Sequence, residues 1–398
     1  MTTSSMPARP GMPHPTPARA TAVGALLAAG VMLAGCATPA SEAEPSSAPS
    51  AAASEVSPEI AAAVDAVIDA GAVAVTAEIR NGDEVVSIAQ GTADLDDGRL
   101  AEVGDPVRIA SISKSVLAVV VLQLVEEGEL ALDTTVEQVL PGLLTSAPAD
   151  VTVEQLLAHT SGLPDYIEQL TPDVDAAIAG RDLVYEPEEL VAIAQTQPWA
   201  AAPGTTFTYT NAGYTVLGLM AEQVTGETVA DLMTERVFEP VGMDSTFAPS
   251  DAAMPENALR GYLAVDGEPV DLTEYEPSFW SFGASLVSTV GDVGAFNAAL
   301  QGGELLEAET LERMRTLGDS GYGLGVLAGG DACGANPPEL VYGQRGNGFG
   351  YNSITLASAD GERVVTVAYT GGSFDPATDP IFPVVNEILV AGLASSCP

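Results

Sequence analysis

Lysine is almost absent from this chain. Lys114 is the only one, and basic residues of both kinds total 13 against 55 acids. The formal charge of −42, with a pI near 4.1, excludes nucleic acid and anionic membrane surfaces as partners. Any carboxylate bound here must meet a local cation. Histidine is scarce too: His14 and His159 are too few to build a zinc site, so no metal and no other cofactor is implied. Three cysteines exclude a disulfide-dense scaffold. No apolar run has the length of a comfortable transmembrane helix. Hydrophobic residues are plentiful, at 46%, and the length suits one large domain or two small ones.

The first residues do not read as part of the fold. Arg9 and Arg19 lie in a polar, Pro-rich leader, followed by an apolar run over 22–33 and Leu33-Ala34-Gly35-Cys36. This is the pattern of a secretory signal, and its last four residues resemble a bacterial lipobox with Cys36 as the lipidated residue. A plain cleavable signal or a short anchor is the alternative. The expectation is a signal over 1–36 and an Ala/Ser/Pro tether over 37–56. A single domain over 57–398 follows, exported and lipid-anchored to the outer face of the cell membrane. With Cys36 lipidated, Cys333 and Cys397 remain, and an exported protein can pair them. Closing that loop could contribute roughly 4 kcal/mol in the chain-entropy model; two free thiols are the other possibility.

The single lysine opens a long apolar run over 116–125, and Ser111 precedes it by three residues. The run is hydrophobic all round, as a buried helix is. Residues three apart share a helix face, so the amine sits one turn behind the hydroxyl, as a Ser/Lys acyl-transfer nucleophile requires. The bland alternative makes Ser111 an N-cap and Lys114 a solvated first-turn residue. A charged amine at an apolar helix start is costly, which favours function.

Strand patterns lie at both ends of the chain. At the front, 72–79 and 84–89 flank the turn Asn81-Gly82-Asp83; at the back, strands run over 322–329 and 340–370. A further strand is expected within 261–270. Helices begin at Ser57-Pro58 and at Ser111, and run over 130–144, 151–157, from 214, 229–241, 281–300 and 381–393. The expected fold class is α+β: an antiparallel sheet formed from both chain ends, packed against helices, with an inserted all-helical lobe.

A Ser/Lys site also needs a second proton-transfer group, a polar orienting side chain and two oxyanion donors. Tyr209-Thr210-Asn211 offers a phenol and an amide at i, i+2, pointing the same way if the segment is extended. Taken with Ser111-Ile-Ser-Lys114, HTSGLPDY from His159, Trp280 ahead of SFGASLVST, Tyr322-Gly-Leu-Gly and YGQRGNGFGY from Tyr342, the chain resembles the serine beta-lactamase / D,D-peptidase family. The nearest likenesses are class C beta-lactamases and the streptomycete D-alanyl-D-alanine carboxypeptidase, whose bridge the Cys333/Cys397 pair also resembles. The resemblance implies a beta-lactamase/transpeptidase-like fold. It implies acylation at Ser111, a proton relay of Lys114 and Tyr209, and Asn211 holding the substrate amide or ester. It implies an oxyanion hole from the backbone N–H groups of Ser111 and Asn347. Trp280 would be a cleft wall, and His159 structural.

One stretch departs from the family. Its Lys-Thr-Gly or His-Thr-Gly reads Gln344-Arg345-Gly346 here, and no arginine stands near Leu327, where the carboxypeptidase has one for the substrate carboxylate. Gln344, Arg345 and Gly346 are therefore candidate substrate-binding residues. Arg345 either supplies the missing cation, where its charge would help lower the pKa of both Lys114 and Tyr209, or points into solvent. The favoured reading is a D-alanyl-D-alanine carboxypeptidase acting on peptidoglycan stem peptides. A beta-lactamase or small-ester hydrolase is the alternative enzyme, and a non-catalytic penicillin- or cell-wall-peptide-binding lipoprotein the rival from another class. A monomer is expected.

Overall fold

The computed structural model describes residues 56–334, 339–395 and Cys397. The expected leader with Cys36, and the tether apart from Val56, lie outside these residues. Ser57 caps helix α1 (Pro58–Asp69) by accepting the Ile60 amide, and Pro58 occupies the first turn, where its missing N–H is harmless. Strands β1 (Ala72–Asn81) and β2 (Glu84–Gly91) form a hairpin. A 3₁₀ turn, Ala110–Ile112, leads into α2 (Ser113–Glu126). Two further long helices are α3 (Asn211–Thr225) and α4 (Val290–Gly302). Strands β3 (Leu327–Gly330), β4 (Leu340–Gly348), β5 (Tyr351–Ser358) and β6 (Arg363–Gly371) follow, and α5 (Phe382–Ser395) closes the fold.

The six strands make one antiparallel sheet in the order β2-β1-β6-β5-β4-β3, with the first two from the front of the chain and four from the back. This is the α+β arrangement expected from the pattern. Helices α1 and α5 cover one face, where Val64, Val67, Val365, Val367 and Ile388 are buried. The other face packs on α2, α4 and the helical lobe, around a core that includes nearly every residue of α2 from Val116 to Leu124. Burial on all sides explains why α2 lacks a polar face. Cys333 and Cys397 form a disulfide, with their Cα atoms 5.4 Å apart. Beside it Arg363 pairs with Asp331 and also donates to the Leu393 carbonyl.

Several local expectations are corrected. Only Val136–Val139 is helical within 130–144, because Thr135 and Gln138 form a capping box there and Pro141 follows. The span 261–270 is a hairpin, Tyr262–Val265 with Glu268–Asp271, turned at Asp266-Gly267, where both residues have positive φ. Of the expected helix over 281–300, only the part beyond the N-cap Thr289 is helical. Before it, Ser281 has φ 49° and ψ −157°, which a helix cannot include. Asn211 is not on an extended segment: Thr210 is extended, and Asn211 is the first residue of α3.

Candidate active site

Ser111 and Lys114 meet where the start of α2 passes under the sheet. Ala110, immediately before the serine, has φ 45°, a left-handed conformation that an alanine adopts only when its surroundings hold it. Two contacts hold it. The buried Ser113 hydroxyl donates to the Ala110 carbonyl over 2.7 Å and accepts the Leu286 amide over 3.2 Å. From the sheet, the Ser353 hydroxyl donates to the Ile109 carbonyl over 2.8 Å. Gly346 lies over the same carbonyl so closely that no side chain would fit there.

Lys114 is fully buried and its Nζ has three partners. They are Ser111 Oγ at 3.0 Å, Asn211 Oδ1 at 2.7 Å and the Gly283 carbonyl at 3.2 Å. The amide oxygen and the carbonyl can only accept, whereas the serine hydroxyl can accept or donate. The three partners accommodate an ammonium that donates to all of them, and equally an amine that gives two N–H groups and turns its lone pair to the Ser111 hydroxyl. The second is the arrangement a general base needs to take the proton as Oγ attacks.

Asn211 is fixed from behind by Asp165, whose Oδ2 accepts both the Asn211 backbone amide at 3.1 Å and its side-chain amide at 2.8 Å. That orients the Asn211 oxygen toward Lys114. Asp165 ends the HTSGLPD run but was not singled out in the sequence, since nothing in its spacing shows which residue it serves. Tyr209 is partly exposed, at 39%, and lines the cleft with its ring centroid 5.1 Å from Lys114 Nζ. His159 clamps the segment carrying it. The His159 carbonyl accepts the Thr208 amide at 2.7 Å, its Nδ1 accepts the Thr210 amide at 3.2 Å, and its ring lies 4.2 Å from the Tyr209 ring. Burial, and secondarily the charge of Lys114, hold the His159 imidazole well below its usual pKa. A neutral ring accepting at Nδ1 carries its proton on Nε2, so His159 acts as a scaffold here, as the motif led us to expect.

The cleft above Ser111 has a volume of about 960 Å³. Trp280, Phe349 and Phe374 form an apolar wall, with Trp280 and Phe349 in ring contact at 4.9 Å. Opposite runs an open length of β4, because β3 pairs only as far as Gly343. The Arg345 amide is taken by Gln344 Oε1 at 3.0 Å rather than by β5. Antiparallel alternation then turns the Asn347 amide, two residues on, to the same open edge. Ser111, at the first turn of a helix, has no carbonyl one turn back for its own N–H. Asn347 and Ser111 both line the cleft.

The Gln344-Arg345-Gly346 stretch is divided between the two faces of the sheet. Gln344 faces the cleft, its Nε2 donating to the Tyr322 hydroxyl at 2.7 Å. Burial pushes the Tyr322 phenol far above its usual pKa. Arg345 borders the cleft, but its guanidinium neither reaches the substrate side nor points into solvent. It stacks on Phe382 of α5, 3.5 Å from the ring centroid. The reason is the strand alternation itself: Gly346 faces Ile109, so its neighbour faces the α1/α5 side. The expectation that Arg345 supplies the missing cation is corrected accordingly.

The sequence profile of the Beta-lactamase family matches residues 60–384. Esterase EstB of Burkholderia gladioli is 30% identical over 320 residues, covering 76% of this chain and 79% of that one. A D-aminopeptidase of Cereibacter sphaeroides is 30% identical over 232 residues, 57% of this chain but only 43% of that protein. Among solved structures, a D-stereospecific amidohydrolase from Streptomyces sp. superposes with a TM-score of 0.75 at 26% identity, over 85% of this chain and 98% of that one. The chain belongs to the beta-lactamase family and is a serine hydrolase of that family.

Proposed function

We propose that this hydrolase cleaves small esters and amides whose acyl part carries a free amino group, such as D-amino acid amides, by acylation and deacylation at Ser111. The observation that carries this reading is the charge of the cleft. Arg345 is stacked away on Phe382, and Leu327 occupies the place where the carboxypeptidase pattern has its arginine. A terminal carboxylate meets no free guanidinium there. Glu168 and Asp375 line the same cleft and would favour an ammonium group. The names of the relatives point the same way, being those of an esterase, a D-aminopeptidase and a D-stereospecific amidohydrolase. The D-alanyl-D-alanine carboxypeptidase expected from the resemblance is less well supported by this charge distribution.

In this mechanism Lys114 accepts the Ser111 proton, and Tyr209 passes a proton to the leaving group. The amides of Ser111 and Asn347 take the oxyanion. The test is kcat/KM for D-phenylalanine amide, Nα-acetyl-D-phenylalanine amide and a diacyl-Lys-D-Ala-D-Ala peptide, with Ser111→Ala as the blank. The free amine should exceed its acetylated counterpart by about fivefold or more, the worth of one exposed charge pair. Preference for the carboxylate-ended peptide would overturn the reading and restore the carboxypeptidase.

A further inference from the structure

The open length of β4 beside Ser111 is a strand edge to which an extended substrate can add. The Arg345 and Asn347 amides both turn to this edge. In an antiparallel pair, two opposed residues exchange both of their hydrogen bonds. A substrate residue with its scissile carbonyl on the Asn347 amide therefore turns its own α-amine to the Asn347 carbonyl. Moving back along β4 is then moving forward along the substrate. The second residue of the leaving group falls opposite Arg345, and its carbonyl would bond to the Arg345 amide.

That amide is already taken. Gln344 Oε1 accepts it at 3.0 Å. A backbone N–H can only donate, so the carboxamide must present its oxygen here and its nitrogen elsewhere. The nitrogen is held too: Nε2 donates to the Tyr322 hydroxyl at 2.7 Å and lies 3.5 Å from the Gly325 carbonyl. The Gln344 side chain is 3% exposed and cannot swing aside without breaking the bonds at both of its ends. Its oxygen stands where the carbonyl of a longer substrate would have to come. A lysine at this place, as in the family pattern, carries donors only and could not cap the amide.

We infer that Gln344 is a specificity-determining residue that closes the leaving-group side of this strand edge, so that the enzyme recognises a leaving group no further than its first residue. The inference rests on acylation at Ser111 as proposed above. It deepens that reading: amides, esters and single-residue leaving groups are served fully, and a longer peptide gains no ladder bond from its extra length.

The test uses two esters of D-phenylalanine, one with glycolamide and one with glycolyl-glycinamide as the leaving group. Only the second has a carbonyl that reaches Arg345. Each ester is made with a free and with an acetylated α-amine. Within either pair, the ratio of kcat/KM for the long ester over the short one reads Gln344. The ratio between the pairs reads the preference for an ammonium group, so the two readings fail separately. In the parent enzyme the long ester should be no better than the short one. In Gln344→Ala the ratio should rise at least about fivefold, the worth of one hydrogen bond, whatever becomes of the short ester itself. Gln344→Thr, a residue suited to a strand, serves if the alanine variant does not fold. A merely structural role for Gln344 would lower both esters together. An unmoved ratio in the variant, or a parent that already favours the long ester by about fivefold, overturns the inference.

Discussion

Replacing Gly346 by alanine is the sharpest test of how the nucleophile is held. A Cβ at this position would lie deep inside the van der Waals radius of the Ile109 carbonyl and 2.6 Å from Ser353 Oγ. The first of these is backbone and cannot swing aside, so β4 and the turn carrying Ala110 and Ser111 must separate. Overpacking of this kind costs about 1–3 kcal/mol, and loss of the Ser353–Ile109 hydrogen bond adds about 1 kcal/mol. At roughly 2–4 °C per kcal/mol for a domain of this size, Tm should fall by roughly 5–15 °C. The catalytic loss should be larger than the stability loss suggests. The same separation moves the Asn347 amide away from Ser111, and a misplacement of about 1 Å can cost about 100-fold. The assay is kcat/KM on an activated ester at 15 °C, where the variant remains folded, beside a thermal melt. Gly329→Ala is the control, because its Cβ would make only an ordinary contact, 3.7 Å from Val341. Ser353→Ala should not rescue the double variant, since the Ile109 carbonyl remains. A folded Gly346→Ala enzyme with undiminished kcat/KM would refute the claim that β4 sets the register of the nucleophile.

Two further outcomes follow from the buried cations and the buried ring. His159 stays neutral in the fold while an unfolded chain protonates it below about pH 6.5, so its contribution is present above that pH and lost as pH falls, by up to about 1.4 kcal/mol per unit. In His159→Asn, denaturation midpoints measured at pH 7.5 and pH 5.0 should differ less than in the parent; equal differences would sink the assignment. Arg345→Ala should lower stability by about 0.5–2 kcal/mol through loss of the Phe382 contact while leaving the pH–rate profile unmoved, and a shifted basic limb would show that its charge reaches Lys114 after all.

What could be read in advance was what depends on local spacing. Ser111 in the 3₁₀ turn and Lys114 in the first turn of α2 lie three residues apart along one continuous winding of the chain, so their meeting at 3.0 Å is a local contact. The strands at both ends were legible because alternation and turns such as Asn81-Gly82 are local signals. Asp165, Gly283 and Ser353 were not legible. Each acts through one atom on a residue distant in sequence, and no periodicity reports such a contact. Arg345 was misread for a related reason. Its identity as a cation was visible, but its direction depends on which face Gly346 presents to Ile109. The nonhelical stretch before Thr289 begins at Ser281, whose φ of 49° and ψ of −157° no sequence pattern announces.

The order of the strands has a consequence for how the molecule comes into being. Strand β1 registers with β6 from Ala72 opposite Gly371 to Asn81 opposite Arg363, so its partner is made only when almost the whole chain exists. Until then the front hairpin presents a bare strand edge rich in Val and Ala, which invites pairing with another copy. The contacts that end this exposure are among the most distant in the chain, and such contacts form slowly. A truncation that removed only β6 and α5 would leave Ser111 and Lys114 intact in sequence yet yield a chain that aggregates before it can assemble them.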